Sequence, residues 1–364
     1  MTRSITNGYP LAGRRPVLQA LLVLAGPSTA FAQAGSNRGP PMHLEARIPL
    51  GEVHGRIDHL AVDIARRRLF VAELGNNSVS VVDLDARAVQ RRVQGLREPQ
   101  GVAYEPGADI LLVANAGDGS IERFQGAALE RLPTLPLGAD ADNLRRDPAG
   151  GGIVWVGHSG ARPGSSGTGG GLTALNAASG QPVGATIPLP AHPESFQLEV
   201  GGPRAWVNIP NAGGAVAMLD RAARRPITTW SVPGLGANFP MALDEPGGRL
   251  FLAFRSPPTL AVLDLRDGAL LGQQPLCGDA DDLFLDARRH RLYAVCGQGL
   301  VDVFEDREGR GRVPQHLARV PTAEGARTGL FVPEFDRLFV AARAHAREPA
   351  TLWVLRPESP PGSP

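Results

Sequence analysis

Side chains able to hold a cation or a small polar ligand fall in short clusters at near-regular intervals along the chain. They are Asp58-His59, Gln100, Asp142-Asn143, His192 with Glu194-Ser195, Asn238, Asp281-Asp282 and Arg327-Thr328. Carboxylate and amide oxygens in such number suit a hard divalent cation such as calcium, which takes six to eight oxygen ligands. Asn143, Glu194 and Asp282 are the metal-ligand candidates. His59, flanked by Asp58 and Arg56, is the candidate for acid–base work, with Asp58 as the alternative base. No cluster is a site alone. They become one only if the fold gathers them.

The same clusters open a repeated pattern. Copies begin at Asp58-His59-Leu60, Gln100-Gly101-Val102, Asp142-Asn143-Leu144, Glu194-Ser195-Phe196, Phe239-Pro240-Met241, Asp281-Asp282-Leu283 and Thr328-Gly329-Leu330, spaced 42, 42, 52, 45, 42 and 47 residues apart. Each runs through a short apolar strand to an acid and a turn. Then comes Arg-Leu-Phe-Val-Ala (68–72) or a close relative, then an alternating strand such as Ser-Val-Ser-Val-Val-Asp (78–83). A period in the forties with four short strands per unit predicts an all-β, seven-bladed β-propeller of four-stranded antiparallel blades. The last unit lacks an outer strand. Residues 43–50 can supply it, closing the ring by pairing the N-terminal strand with the last blade. Asn176, Asp220 and Asp264 end third strands, where an Asx side chain can close a turn on its own backbone.

The expected organisation is a signal peptide over 1–32, a flexible leader over 33–43, the propeller over 44–356 and a disordered tail over 357–364. Arg14-Arg15, an apolar run from Val17 to Ala25 and Ala30-Phe31-Ala32 have the order of an export signal, which predicts a periplasmic or secreted protein. No other stretch is apolar enough to span a membrane. The net charge of +1 gives no basic balance that would favour nucleic acid, so a small polar molecule or a protein partner is expected instead. The Gly- and Ser-rich stretch 157–171 reads as a flexible insert, with His158 solvated in it.

Cys277 precedes an inner strand and Cys296 ends the strand paired with it. Antiparallel pairing brings those two ends together, and in an oxidising compartment a disulfide between them is expected. Two thiols are too few for a metal site. No Cys-x-x-Cys-His is present, which excludes covalent c-type haem. No phosphate-binding loop or zinc-protease motif occurs.

The Leu-Phe-Val-Ala and Ser-Val-Ser-Val-Val-Asp-Leu strands resemble those of the YVTN-repeat, YncE-like β-propellers, a WD40-like group of exported bacterial proteins. Their fold is also similar to the haem d1 propeller of nitrite reductase and to lactonase propellers. The resemblance covers about residues 44–356 and extends to the openings Gly-Arg-Ile-Asp-His-Leu-Ala-Val-Asp (55–63), Asp-Ala-Asp-Asn (140–143), His-Pro-Glu-Ser-Phe (192–196) and Gly-Asp-Ala-Asp-Asp-Leu-Phe (278–284). It implies the fold and no single activity. The expected function is binding of a small polar ligand, metal ion or partner at the inner-strand-opening face. The alternatives are a metal-dependent, lactonase-like hydrolase and a protein-interaction scaffold.

Overall fold

The computed structural model describes residues 39–160, 169–306 and 313–359. They form seven small antiparallel sheets in a ring. The innermost strands of the seven blades are Leu60–Asp63, Pro99–Glu105, Ala139–Arg146, Phe196–Leu198, Gly236–Asp244, Ala280–Asp286 and Thr328–Val332. Each inner strand touches the next, and Thr328–Val332 touches Leu60–Asp63, so the ring is closed. No α-helix occurs among the described residues, and no helix there is long and apolar enough to cross a membrane.

Burial explains why each unit repeats its second strand most faithfully. Arg68–Glu73 and Ile110–Asn115 are buried along their whole length, because both faces of these strands pack against neighbouring blades. Outer strands such as Arg225–Trp230 are almost wholly exposed. The core is not one mass. It consists of seven apolar clusters, each set between two successive blades. Phe70, Val79 and Val81 of the first blade, for example, meet Val102, Tyr104 and Leu111 of the second.

Met42–Gly51 pairs antiparallel with Ala350–Pro357 and completes the seventh blade. Met42 and His43, expected in the leader, belong to this strand, and Pro357, expected in the tail, ends its partner. Arg291 Nη1 donates to the carbonyls of Pro41 and Glu358, at 3.1 and 2.5 Å, and ties the two ends to the sixth blade. The third-strand Asx turns form as expected. Asp220 Oδ1 accepts from Ala223 N at 2.8 Å and Asn176 Oδ1 from Ser179 N at 2.9 Å. The signal-peptide expectation lies outside the described residues.

The insert differs from its composition. Gly157–Ser159 continue the second strand of blade three, and Gly170–Gly171 open the third. Residues 161–168 lie outside the described residues. Gly170 is required by close approach: a Cβ there would sit 2.2 Å from the Ala191 carbonyl oxygen. His158 is buried, not solvated, with Nε2 2.8 Å from Thr173 Oγ1.

Candidate functional site

The repeat register sorts the candidate residues into layers. First residues of the copies (Gln100, Asp142, Glu194, Phe239 and Asp281) line a mouth of about 520 Å³ at one end of the channel. Second residues (His59, Ser195, Pro240, Asp282 and Gly329) line an inner chamber of about 290 Å³. One step along a strand moves a side chain about 3.3 Å, so a single shift in register separates the two compartments.

Arginines brace the mouth, Arg56 and Arg327 from between strands and Arg255 from the end of the strand Arg249–Ser256. Arg56 Nη2 lies 2.7 Å from Asp58 Oδ2, which is buried behind the wall. Arg255 stacks on Phe239, 3.6 Å from the ring centroid, and pairs with Asp281. Arg327 Nε reaches the other oxygen of Asp281 at 2.9 Å. Gln100 Nε2 donates to Asp140 Oδ1 at 3.3 Å. The lining carries five carboxyl groups (Glu98, Asp140, Asp142, Glu194, Asp281), three guanidiniums (Arg56, Arg255, Arg327) and the His192 imidazole.

Asp142, His192 and Glu194 converge there, their donor atoms within 4.8 Å of one another. Asp142 Oδ1 is buried without a hydrogen-bond donor. His192 Nδ1 lies 3.0 Å from Ser159 Oγ, and Nε2 lies 3.8 Å from Asp142 Oδ2. With Nδ1–H donating to Ser159, Nε2 is free to ligate. Burial, then the charges of Asp142 and Asp281, push the Glu194 carboxyl up to about 8, against His192 and Arg255. Burial opposes a proton on His192, but Asp142, Asp140 and Glu194 outweigh it and raise its pKa. Asp142 is held down: burial would raise it, but His192 and His59 prevail. A proton shared among clustered carboxylates is what a bound cation would replace.

A polar layer closes the floor. Asn143 Nδ2 donates to His59 Nε2 at 3.0 Å, which assigns the ring proton to Nδ1, 3.9 Å from Asp282 Oδ1. Burial lowers the His59 pKa, in keeping with a neutral ring. Asp282 Oδ2 accepts from Gly329 N at 2.8 Å. Burial raises both Asp58 and Asp282 well above the usual carboxylate range.

The sequence-derived metal set Asn143, Glu194 and Asp282 is therefore split between layers. Glu194 meets Asp142 and His192 instead, while Asn143 and Asp282 attend His59. Asn238 leaves the site altogether: it is buried, and Nδ2 donates to Asn208 Oδ1 and the Ala215 carbonyl at 2.9 and 3.0 Å, joining blades four and five. The sequence reading passed over Asp140, Phe239 and Arg145. Asp140 was visible two residues before Asp142, and Arg145 is the one charged residue at its position in the seven copies. Cys277 and Cys296 form a disulfide beside this face.

The class these features define is a closed seven-bladed β-propeller with an acidic mouth over a polar floor. A chain of Kuenenia stuttgartiensis hydrazine synthase has the same fold, with a TM-score of 0.68 at 16% identity over 80% of this chain and 94% of that one. At that identity the likeness speaks for the fold alone. No family model matches the chain, and no curated protein matches it.

Proposed function

We propose that this propeller binds a divalent transition-metal ion at its mouth through Asp142, His192 and Glu194, and presents that ion to a small polar ligand. The observation that carries the reading is the convergence of these three donors, with Asp142 Oδ1 unpartnered. A histidine among the donors favours zinc or manganese over calcium, which prefers oxygen alone. Donors on a tetrahedral zinc are about 3.4 Å apart, so three donors that lie within 4.8 Å of one another close by up to roughly an ångström on binding. Three protein ligands leave coordination positions open toward the mouth.

That openness supports a second reading, metal-assisted hydrolysis of a lactone-like substrate. Large exposed apolar side chains among the described residues (Leu44, Ile64, Val200, Ile227 and Leu270) stay off the mouth, which disfavours the scaffold reading. We also propose that the protein is exported and belongs with the YVTN-repeat propellers. The N-terminal signal pattern, the disulfide and the strand motifs support this.

Calorimetric titration with zinc and manganese at pH 8 tests the metal site. One ion per chain is expected, with at least a hundredfold weaker binding in His192→Ala, and weaker binding at pH 6 because Glu194 and His192 must give up protons. Absence of stoichiometric binding at pH 8 overturns the reading. A lactone assay with and without chelator decides between binding and hydrolysis.

A further inference from the structure

Beneath the His59 floor, the inner chamber holds a cation with no counter-ion. Arg145 lines it, half-buried, and no carboxylate among the described residues lies within ion-pair distance of its guanidinium. Its Nη1 donates to the Leu144 carbonyl at 2.9 Å, and its flat face lies 5.8 Å from the Phe196 ring centroid. Asp282 and then Asp142 supply the negative charge that most favours the guanidinium, but neither pairs with it, and burial raises the Asp282 carboxyl well above the usual carboxylate range. The Arg145 pKa is lowered by that same burial, as expected of a charge that lacks compensation. The wall is mixed: Ser195, Gln197, Tyr104, Arg146 and Asp282 add polar groups, and Val62, Val102, Met241 and Leu330 supply apolar surface.

We propose that this chamber binds a small organic monocarboxylate, its carboxylate on Arg145 and its short apolar body against Val62, Val102, Met241 and Leu330. A planar guanidinium matches a carboxylate with two parallel hydrogen bonds. A chamber of about 290 Å³ admits a body of butyrate or benzoate size. The mixed wall disfavours a bare inorganic anion, which would leave the apolar side against water. This site is separate from the metal at the mouth and needs no metal.

The test uses the full-length protein, treated with chelator so that the mouth holds no metal. Titration with butyrate, benzoate, acetate and chloride at constant ionic strength is expected to give saturable binding for butyrate or benzoate, weaker for acetate. Arg145→Gln is expected to lose at least tenfold in affinity, and Arg145→Lys less. Crystals soaked in 4-bromobenzoate give a second measurement that needs no variant: a bromine anomalous peak inside the chamber is expected. Binding of chloride alone, binding undiminished in a folded Arg145→Gln, or bromine only outside the chamber overturns the proposal. Metal titration of the mouth proceeds independently, so the failure of one site does not entail failure of the other.

Discussion

The two rims of the ring are built from the same residue types and behave oppositely. At the rim opposite the mouth, six of the seven inner strands end at or next to an acid that meets an arginine: Asp63, Glu105, Asp147, Glu199, Asp244 and Asp286. Asp63 is buried, which alone would raise its pKa, but Arg66 and Arg68 outweigh burial and hold it down. Asp109 is lowered by Arg66 and Tyr104. Asp147 is lowered by Arg221 and Trp155 against burial. At the mouth and its floor, Asp58, Asp140, Glu194 and Asp282 are raised, burial being the largest cause in each, and Asp142 alone is held down, by His192 and His59 against burial. Acids at one rim are matched by donors within their own repeat or the next blade. At the other they are crowded past the number of cations available. Matched carboxylates hold the ring together, whereas unmatched ones are poised to exchange a proton for a ligand.

Breaking a matched pair should have the largest effect on folding. Arg249 is buried and ties Asp244 Oδ2 to Asp306 Oδ1, with its Nε at 3.0 Å from the first and Nη1 at 2.9 Å from the second. Arg249→Ala would strand buried Asp306, and a loss of about 3–5 kcal/mol is expected in denaturant unfolding. Metal affinity at the mouth should not change in the protein that remains folded. A loss below about 1 kcal/mol would show that the matched rim is not what holds the blades.

The Cys277–Cys296 bond is next in size. It closes a loop over a sequence separation of 19 and so restricts the unfolded chain. The Cys277→Ala, Cys296→Ala double variant is expected to lose about 3 kcal/mol. Cys277 N also donates to Asp302 Oδ2 at 2.7 Å, a contact that the alanine backbone retains. An unchanged urea midpoint would count against the disulfide as a stabilising element.

These contrasts bear on what the sequence could reveal. The ring was legible because every blade needs the same items: a fully buried second strand such as Leu-Phe-Val-Ala, and an acid at the turn. Both leave marks at a fixed period. Layering was legible in principle, since first and second positions of each copy map to mouth and floor. The grouping within a layer was not. Asp142 comes from one inner strand and Glu194 from the link into the next, and their approach depends on how blade three packs, with Gly157 and Gly170 set against Pro193 and Ala191. Asn238 looked like its neighbours, yet its amide is consumed by Asn208 and Ala215, a partnership written nowhere near it in the chain. His158 looked solvated because glycines surround it, whereas those glycines are strand residues admitting a close backbone.

The mouth itself offers the smaller and more diagnostic perturbation. The Glu194 carboxyl sits at about 8 in the folded protein against an ordinary 4.5, so the folded state holds this proton more tightly than the unfolded one. Its stabilisation is whole below about pH 4.5 and is lost as pH rises through about 8. His192, also raised, contributes in the same direction, present below its ordinary 6.5 and lost above its folded value. The metal-free melting temperature should therefore fall between pH 5 and pH 8.5. Glu194→Gln removes one of these titrations and should flatten that slope while leaving the value at pH 5 within a few degrees of wild type. Saturating zinc should restore the high-pH stability of the wild type and do much less for Glu194→Gln, since the amide supplies no charge to the ion. A slope that is the same in both proteins would mean that Glu194 ionises freely, and the crowding that distinguishes this rim from its opposite would have to be assigned to Asp58 or Asp282 instead.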